Sequence, residues 1–286
     1  MMEKPTKSIF NYNIVILVLV LSSAFLTSCS KDSELFDEVI EESIEDSNDE
    51  EMVEDQSNDD TTNQDNNDEN GSDENQSDCQ DSANFVFQEE DGILTAEFES
   101  GNFSGAWEEM NTEPNFSGTG YMVWTEDQHL NRTGNGFTTF SINIQNPGTY
   151  RFVWNSAVTI GDNGTDHNDS WLRFNDADDF YGRQGEGRVY PNDSGKTPNP
   201  NGSSSDGWFK IYRSGSNLGF KWQASTSDND PHDIYVEFNA AGTYTMEVSA
   251  RSTGHAIDKF VLFDESKHSL SEATTENTVL SAINCN

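Results

Sequence analysis

The chain has 286 residues and carries 52 acidic against 15 basic side chains, a formal charge of −37. A surface that negative excludes nucleic acid as a partner, because phosphate recognition needs a basic surface. The acids are unevenly spread, and beyond the acid-rich N-terminal part about 200 residues remain, enough for one domain with a real core.

At the N-terminus, Lys4 and Lys7 precede an apolar run from Ile14 to Leu26, broken by Ser22, Ser23 and Ala24. The run falls short of the ~20 apolar residues of a membrane span and has the shape of a secretory signal. It ends in Leu26-Thr27-Ser28-Cys29, which resembles the lipobox of bacterial lipoproteins. The resemblance implies that residues 1–28 are a signal peptide and that Cys29 is the lipidated N-terminus. Several acyl chains, at about 0.8 kcal/mol per buried methylene, then anchor the protein to a membrane. Residues 29–78 follow as a linker. Ser30 to Asp78 holds 21 of the acids and a single lysine, with almost no aromatics. Such a stretch cannot bury enough apolar surface to offset chain entropy, which predicts a disordered acidic tether with an end-to-end distance of about 40 Å before charge repulsion extends it. Asp32 and Glu34, close behind Cys29, resemble the export signal of surface-exposed Bacteroidetes lipoproteins. This implies an outer-membrane lipoprotein facing the exterior; a plain periplasmic spacer is the alternative.

Three cysteines are present. With Cys29 used by lipid, Cys79 and Cys285 bracket the remaining domain, 79–286. In an oxidising compartment that placement suggests a disulfide closing the termini on each other.

Within the domain the pattern is β throughout. Phe85–Phe87, Leu94–Phe98, Phe140–Ile144, Tyr150–Trp154, Trp171–Phe174, Trp208–Tyr212, Ile234–Phe238, Tyr244–Val248 and Phe260–Phe263 are short strand-like runs, most alternating apolar with polar. Turn residues punctuate them, and no run has helical period. The expected fold is all-β, an antiparallel β-sandwich of jelly-roll type. Long polar loops are expected at Gly161–Ser170 and Tyr190–Gly207; loops of that size are functional or disordered.

Four segments then carry a resemblance: Leu94-Thr95-Ala96-Glu97-Phe98-Glu99, Gly120-Tyr121-Met122-Val123-Trp124, Asp206-Gly207-Trp208-Phe209-Lys210, and Ala240-Ala241-Gly242-Thr243-Tyr244 with Arg251 to Phe260. Over residues 92–264 the chain resembles the galactose-binding-like jelly rolls that include family 6 carbohydrate-binding modules and malectin-like domains. It is most similar to the C-terminal modules of family 115 glycoside hydrolases. The resemblance implies a domain that binds polysaccharide and does no chemistry.

Candidate ligand-binding residues follow. Sugar rings stack their C–H faces on indoles, and their hydroxyls pair with planar amide, carboxylate and guanidinium groups. Trp208 falls where the family has its stacking aromatic, and Tyr121 or Trp124 near the other. Trp154, in a strongly apolar strand, is expected in the core. His167, Asn168 and Asp169 gather hydrogen-bonding groups just ahead of a strand, with a solvated turn as the bland alternative. Lys210, Tyr181 and Arg183 would add contacts suited to an anionic glycan. The family places an Asn two residues before its closing Asp; this chain has Ala256 there, with His255 beside it as the substitute. The resemblance also implies a structural calcium on Glu97, Glu99 and Asp258, since calcium takes several hard oxygens, although Thr95 stands where the family often has another Glu.

No nucleophile elbow, zinc motif or paired-carboxylate signature is present, so the expected role is non-catalytic capture of a polysaccharide beside glycan-degrading enzymes or transporters. Two rivals remain: a jelly-roll lyase or hydrolase using His167, Tyr181 and Arg183, and an adhesion protein that holds a protein partner through an exposed apolar patch.

Overall fold

A computed structural model of the chain describes residues 81–200, 204–226, 229–276 and 278–285. The signal peptide, Cys29, the acidic tether and Cys79 lie outside the described residues.

Among the described residues, eighteen strands follow one another. They are β1 (Phe85–Gln88), β2 (Ile93–Glu97), β3 (Asn102–Phe103), β4 (Trp107–Met110), β5 (Tyr121–Trp124), β6 (Thr138–Ile144), β7 (Gly148–Val158), β8 (Asp169–Arg173), β9 (Asp179–Gln184), β10 (Gly187–Val189), β11 (Ser204–Ser205), β12 (Trp208–Tyr212), β13 (Lys221–Trp222), β14 (Ser225–Thr226), β15 (His232–Phe238), β16 (Gly242–Ser249), β17 (His255–Asp264) and β18 (Ile283–Cys285). The α-helical part is one capped turn at Leu270–Ala273.

The pairings resolve into two layers. In the first, β18, β1, β6, β16, β8 and β12 lie side by side; all are antiparallel except β1 with β6. In the second, β5 and β2 pair in turn along one edge of β17, and β7, β15 and β9 follow from its other edge. The two-residue β14 pairs with both β12 and β15 and so joins the layers at one edge. This is the all-β sandwich expected from the period-two runs.

Alternation decides what enters the core. Along β6, Thr138, Phe140, Ile142 and Ile144 are buried and the residues between them half-buried, the period of a strand with one face on a core. Phe152 and Trp154 of β7 meet Phe260 of β17 ring to ring or across the ladder, and Phe140 reaches Phe260 from the opposite layer at 4.9 Å between centroids. Trp154 is fully buried, as expected. β17 breaks its register between Ile257 and Lys259. A bulge of this kind inserts one extra residue and re-aims a side chain; here the residue is Asp258.

The ends of the domain meet. β18 pairs with β1 and sets Cys285 opposite Phe85. Cys285 is not a free thiol, but its proposed partner Cys79 is outside the described residues.

Candidate functional site

The outward face of the second layer carries an open, polar cleft. β15 and β9 pair Tyr235 with Tyr181 and Asp233 with Arg183, and period-two alternation sends Asp233, Tyr235, Tyr181 and Arg183 to one face. The two tyrosine rings lie nearly parallel, with centroids 5.7 Å apart. A guanidinium covers each: Arg183 lies 3.8 Å above Tyr235 and Arg188, from the β9–β10 hairpin, 4.1 Å above Tyr181. Glu265, just past β17, ties this floor together. It accepts from Tyr235 Oη at 2.8 Å, from Arg183 Nη2 at 2.7 Å and from Arg151 Nη1 at 3.0 Å. Arg151 also pairs with Asp233 at 2.7 Å. Burial and the bond to Glu265 push the Tyr235 phenol up to about 12, and hydrogen bonds from Tyr235 and Arg151 outweigh desolvation to hold Glu265 below its usual range. Above this floor opens a cleft of about 720 Å³, bordered by Gln184, Arg188, Gln223 and Asp233.

The sequence singled out Tyr181 and Arg183 but missed their partners. Arg151, Tyr235 and Glu265 are distant in the chain and meet only through the β7–β15–β9 ladder, so no local pattern could have shown them.

Three of the other predicted residues, Trp208, Lys210 and Asp169, lie on the first layer, beside the segment 125–137. Trp208, Lys210 and Tyr212 of β12 and Asp169, Trp171 and Arg173 of β8 face outward, cross-paired. That face is covered. Trp208 is only 3% exposed, with the Arg173 guanidinium 4.4 Å over its ring and Phe137 at its edge. Asp169, also buried, accepts from Arg251 and Ser252 and stands 3.8 Å from the Lys210 ammonium. Asn168 donates to the Arg213 carbonyl at 2.6 Å and so closes a loop. His167 is half-buried in a left-handed conformation, its Nδ1 3.3 Å from Gln128. Tyr121 is fully buried in a small satellite core with Phe116 and Phe220. Trp124 is buried too, but one ring edge lines an open hollow of about 450 Å³ with His129 and Asn135. Gly136 lies against that ring with φ +53°, and a Cβ there would run into it.

His255 is not at a rim. It is fully buried, edge-on to Trp154 at 5.5 Å, with Nδ1 2.8 Å from Ser170 Oγ. As placed, it offers nothing to a ligand in solution. The reason is its strand: β17 is the centre of the second layer and is buried along nearly its whole length.

The carboxylates expected to hold calcium do come together. Ser117 Oγ donates to Glu97 at 2.8 Å and lies 3.3 Å from Asp258, whose other oxygen accepts from the Ser117 amide at 2.8 Å. Asn155 adds a bond to Asp258 at 2.9 Å. Glu99 sits beside them with Oε2 buried and without a partner. A Cβ on Gly118 would strike the Glu99 carboxylate, so the chain is drawn tight around these groups. Burial raises all three carboxyl groups, with the charges of Glu97 and Asp258 adding to it at Glu99, which is pushed up to about 7. The donors are the hard oxygens that calcium takes. Among the described residues, however, no three such side chains are arranged as a metal-ligand group, and Ser117 Oγ bridges Glu97 and Asp258.

No family model matches the chain, and no curated protein does. Among solved structures, a β-(1,4)-mannanase of Podospora anserina described as GH26-CBM35 is 16% identical, over 61% of this chain and 28% of that one, with a TM-score of 0.37. An isomalto-dextranase of Arthrobacter globiformis T6, complexed with panose, is 11% identical over 60% of this chain and 23% of that one, TM-score 0.34. The C-terminal CBM6 of a marine laminarinase from Zobellia galactanivorans is 15% identical over 60% of this chain and 99% of that one, TM-score 0.27. The chain thus spans about a quarter of the length of the first two.

Proposed function

We propose that this chain is a non-catalytic, lipid-anchored protein of the outer membrane whose β-sandwich captures a polysaccharide in the arginine–tyrosine cleft. The observation that carries the reading is the network of Arg151, Arg183, Tyr235 and Glu265 under that cleft. It presents planar donors and acceptors side by side over an aromatic floor, which is what vicinal sugar hydroxyls require. Each arginine there is already paired: Arg151 and Arg183 to carboxylates at 3.0 Å or closer, Arg188 at 3.8 Å to Asp179. The cleft therefore offers balanced charge, which favours a neutral glycan segment over the anionic one that isolated cations would have suggested.

The lyase set loses its geometry. His167 contacts Gln128 beside the first layer, whereas Tyr181 and Arg183 contact Tyr235 on the second. A base and an acid must reach the same sugar carbon, and these groups share no contact among the described residues.

Three further elements belong to the same proposal. Cys29 carries the lipid, the acidic tether lets the domain sweep a volume above the membrane, and Cys79 pairs with Cys285. A calcium ion would be held by Glu97, Glu99 and Asp258, with Ser117 moving aside. It would act as a structural cross-link between β2 and the β17 bulge.

The test is affinity electrophoresis of the protein against neutral and anionic polysaccharides, with a reducing-end assay alongside. Retardation by a neutral glycan with no new reducing ends is the expected result. New reducing ends would revive catalysis, and no retardation by any glycan would turn attention to a protein partner.

A further inference from the structure

At one end of the core, five buried polar atoms lack partners. Arg213 is fully buried, and of its guanidinium only Nη1 is engaged, with the Leu218 carbonyl at 3.3 Å; Nε and Nη2 have none. Trp154 Nε1, Ser156 Oγ and His255 Nε2 are likewise unpartnered.

Strand alternation turns these groups to the inward side of the sandwich. Trp154 and Ser156 follow Phe152 on the inward face of β7, and Ser156 pairs with Ile257 of β17 and Lys221 of β13. His255 opens β17 and meets Trp154 edge-on. Arg213 extends the inward row of Phe209 and Ile211 past the end of β12, opposite Asn168. Its charge acts on both His255 and Lys221.

The chemistry of the group is one-sided. Among the described residues Arg213 has no carboxylate partner, and the groups its charge acts on, His255 and Lys221, are themselves basic. Burying an unpaired guanidinium is strongly unfavourable. A water molecule would answer this poorly: it accepts two hydrogen bonds at most and neutralises nothing. Here Arg213 Nε–H, Arg213 Nη2–H, the Trp154 indole N–H and the Ser156 hydroxyl all donate. His255 can join them by carrying its proton on Nε2, with Nδ1 accepting from Ser170.

We propose that this end of the core holds a buried monovalent anion of halide size, bound by Arg213, Trp154, Ser156 and His255. The site lies between the layers, separate from the arginine–tyrosine cleft, and does not depend on glycan binding. It acts as an internal counter-ion that locks the Arg213 segment, and with it the 214–220 turn, onto the core.

The test is thermal melting of the whole protein in sodium chloride, bromide and gluconate at matched ionic strength. The expected result is a melting temperature several degrees higher in either halide, saturating with halide concentration. Arg213→Met should melt at the same temperature in all three salts. Crystals grown in bromide provide an independent reading that needs no variant: an anomalous peak beside Arg213 is expected. Equal melting temperatures of the wild type in all three salts, or a bromide crystal with no peak there, would overturn the proposal.

Discussion

Replacing Trp208 by alanine decides between the sugar platform that the resemblance implied and a place in the packing of the domain. If the indole were a sugar platform, its loss would weaken binding and leave stability alone. The structure places it instead beneath the Arg173 guanidinium at 4.4 Å, edge-on to Phe137 and 3% exposed. Truncating a buried tryptophan costs about 3–5 kcal/mol. The lower end applies here, because Trp208 lies on the outer face of its sheet, where segment 125–137 can settle into the gap. A loss of about 3 kcal/mol in a domain of this size lowers the melting temperature by roughly 6–12 °C. Urea unfolding followed by far-ultraviolet circular dichroism measures the change without relying on the deleted fluorophore, and Trp208→Phe, which refills most of the volume, should recover much of it. Glycan affinity of Trp208→Ala, measured well below its melting point, should stay near wild type. An unchanged melting temperature together with lost glycan binding would refute the argument and make Trp208 a ligand contact.

In the cleft, Arg183→Ala should raise the glycan dissociation constant about tenfold in titration calorimetry with little effect on stability, since its side chain is 35% exposed and its ion pair contributes little; an unchanged constant would move the site elsewhere. Asp169→Ala should cost about 3 kcal/mol, because it removes the buried carboxylate to which Ser252 and the half-buried Arg251 donate; a loss below about 1 kcal/mol in urea titration would show that the cluster is solvated. In halide-free buffer, where no anion offsets Arg213, His255 is pushed down to about 3, by burial first and Arg213 second. The unfolded chain therefore takes up its proton first, so the stability due to this group is complete above about pH 6.5 and is lost as pH falls towards 3, roughly 4–5 kcal/mol across the window. Glu99, raised to about 7, runs the opposite way, so the measurement is the difference between wild type and His255→Gln as a function of pH, and a flat difference would refute it. If calcium is held at Glu97, Glu99 and Asp258, a chelator should lower the melting temperature of the wild type and leave Glu99→Gln unaffected; no change in the wild type would remove the metal.

Strand runs were legible because alternation is a local property. Each of the nine runs read from the sequence falls on an observed strand, with only Phe98 and Phe174 lying one residue beyond the ends of β2 and β8. Strands that sequence reading passed over, such as β4 and β9, have no clean alternation: Trp107–Met110 exposes two glutamates in succession, and Asp179–Gln184 carries Gly182 at its centre, packed against His232. Site residues were harder, because their roles depend on which face of which layer a strand presents. Trp208 and Trp171 have the same outward direction as Tyr181 and Tyr235, yet the first pair is roofed by segment 125–137 and the second only by two arginines. A roof of loop costs many backbone contacts to remove, whereas a roof of guanidinium moves by side-chain rotation. The same kind of outward aromatic is thus core on one face and a reachable floor on the other, and that difference, set by a distant loop, leaves no trace in the local sequence.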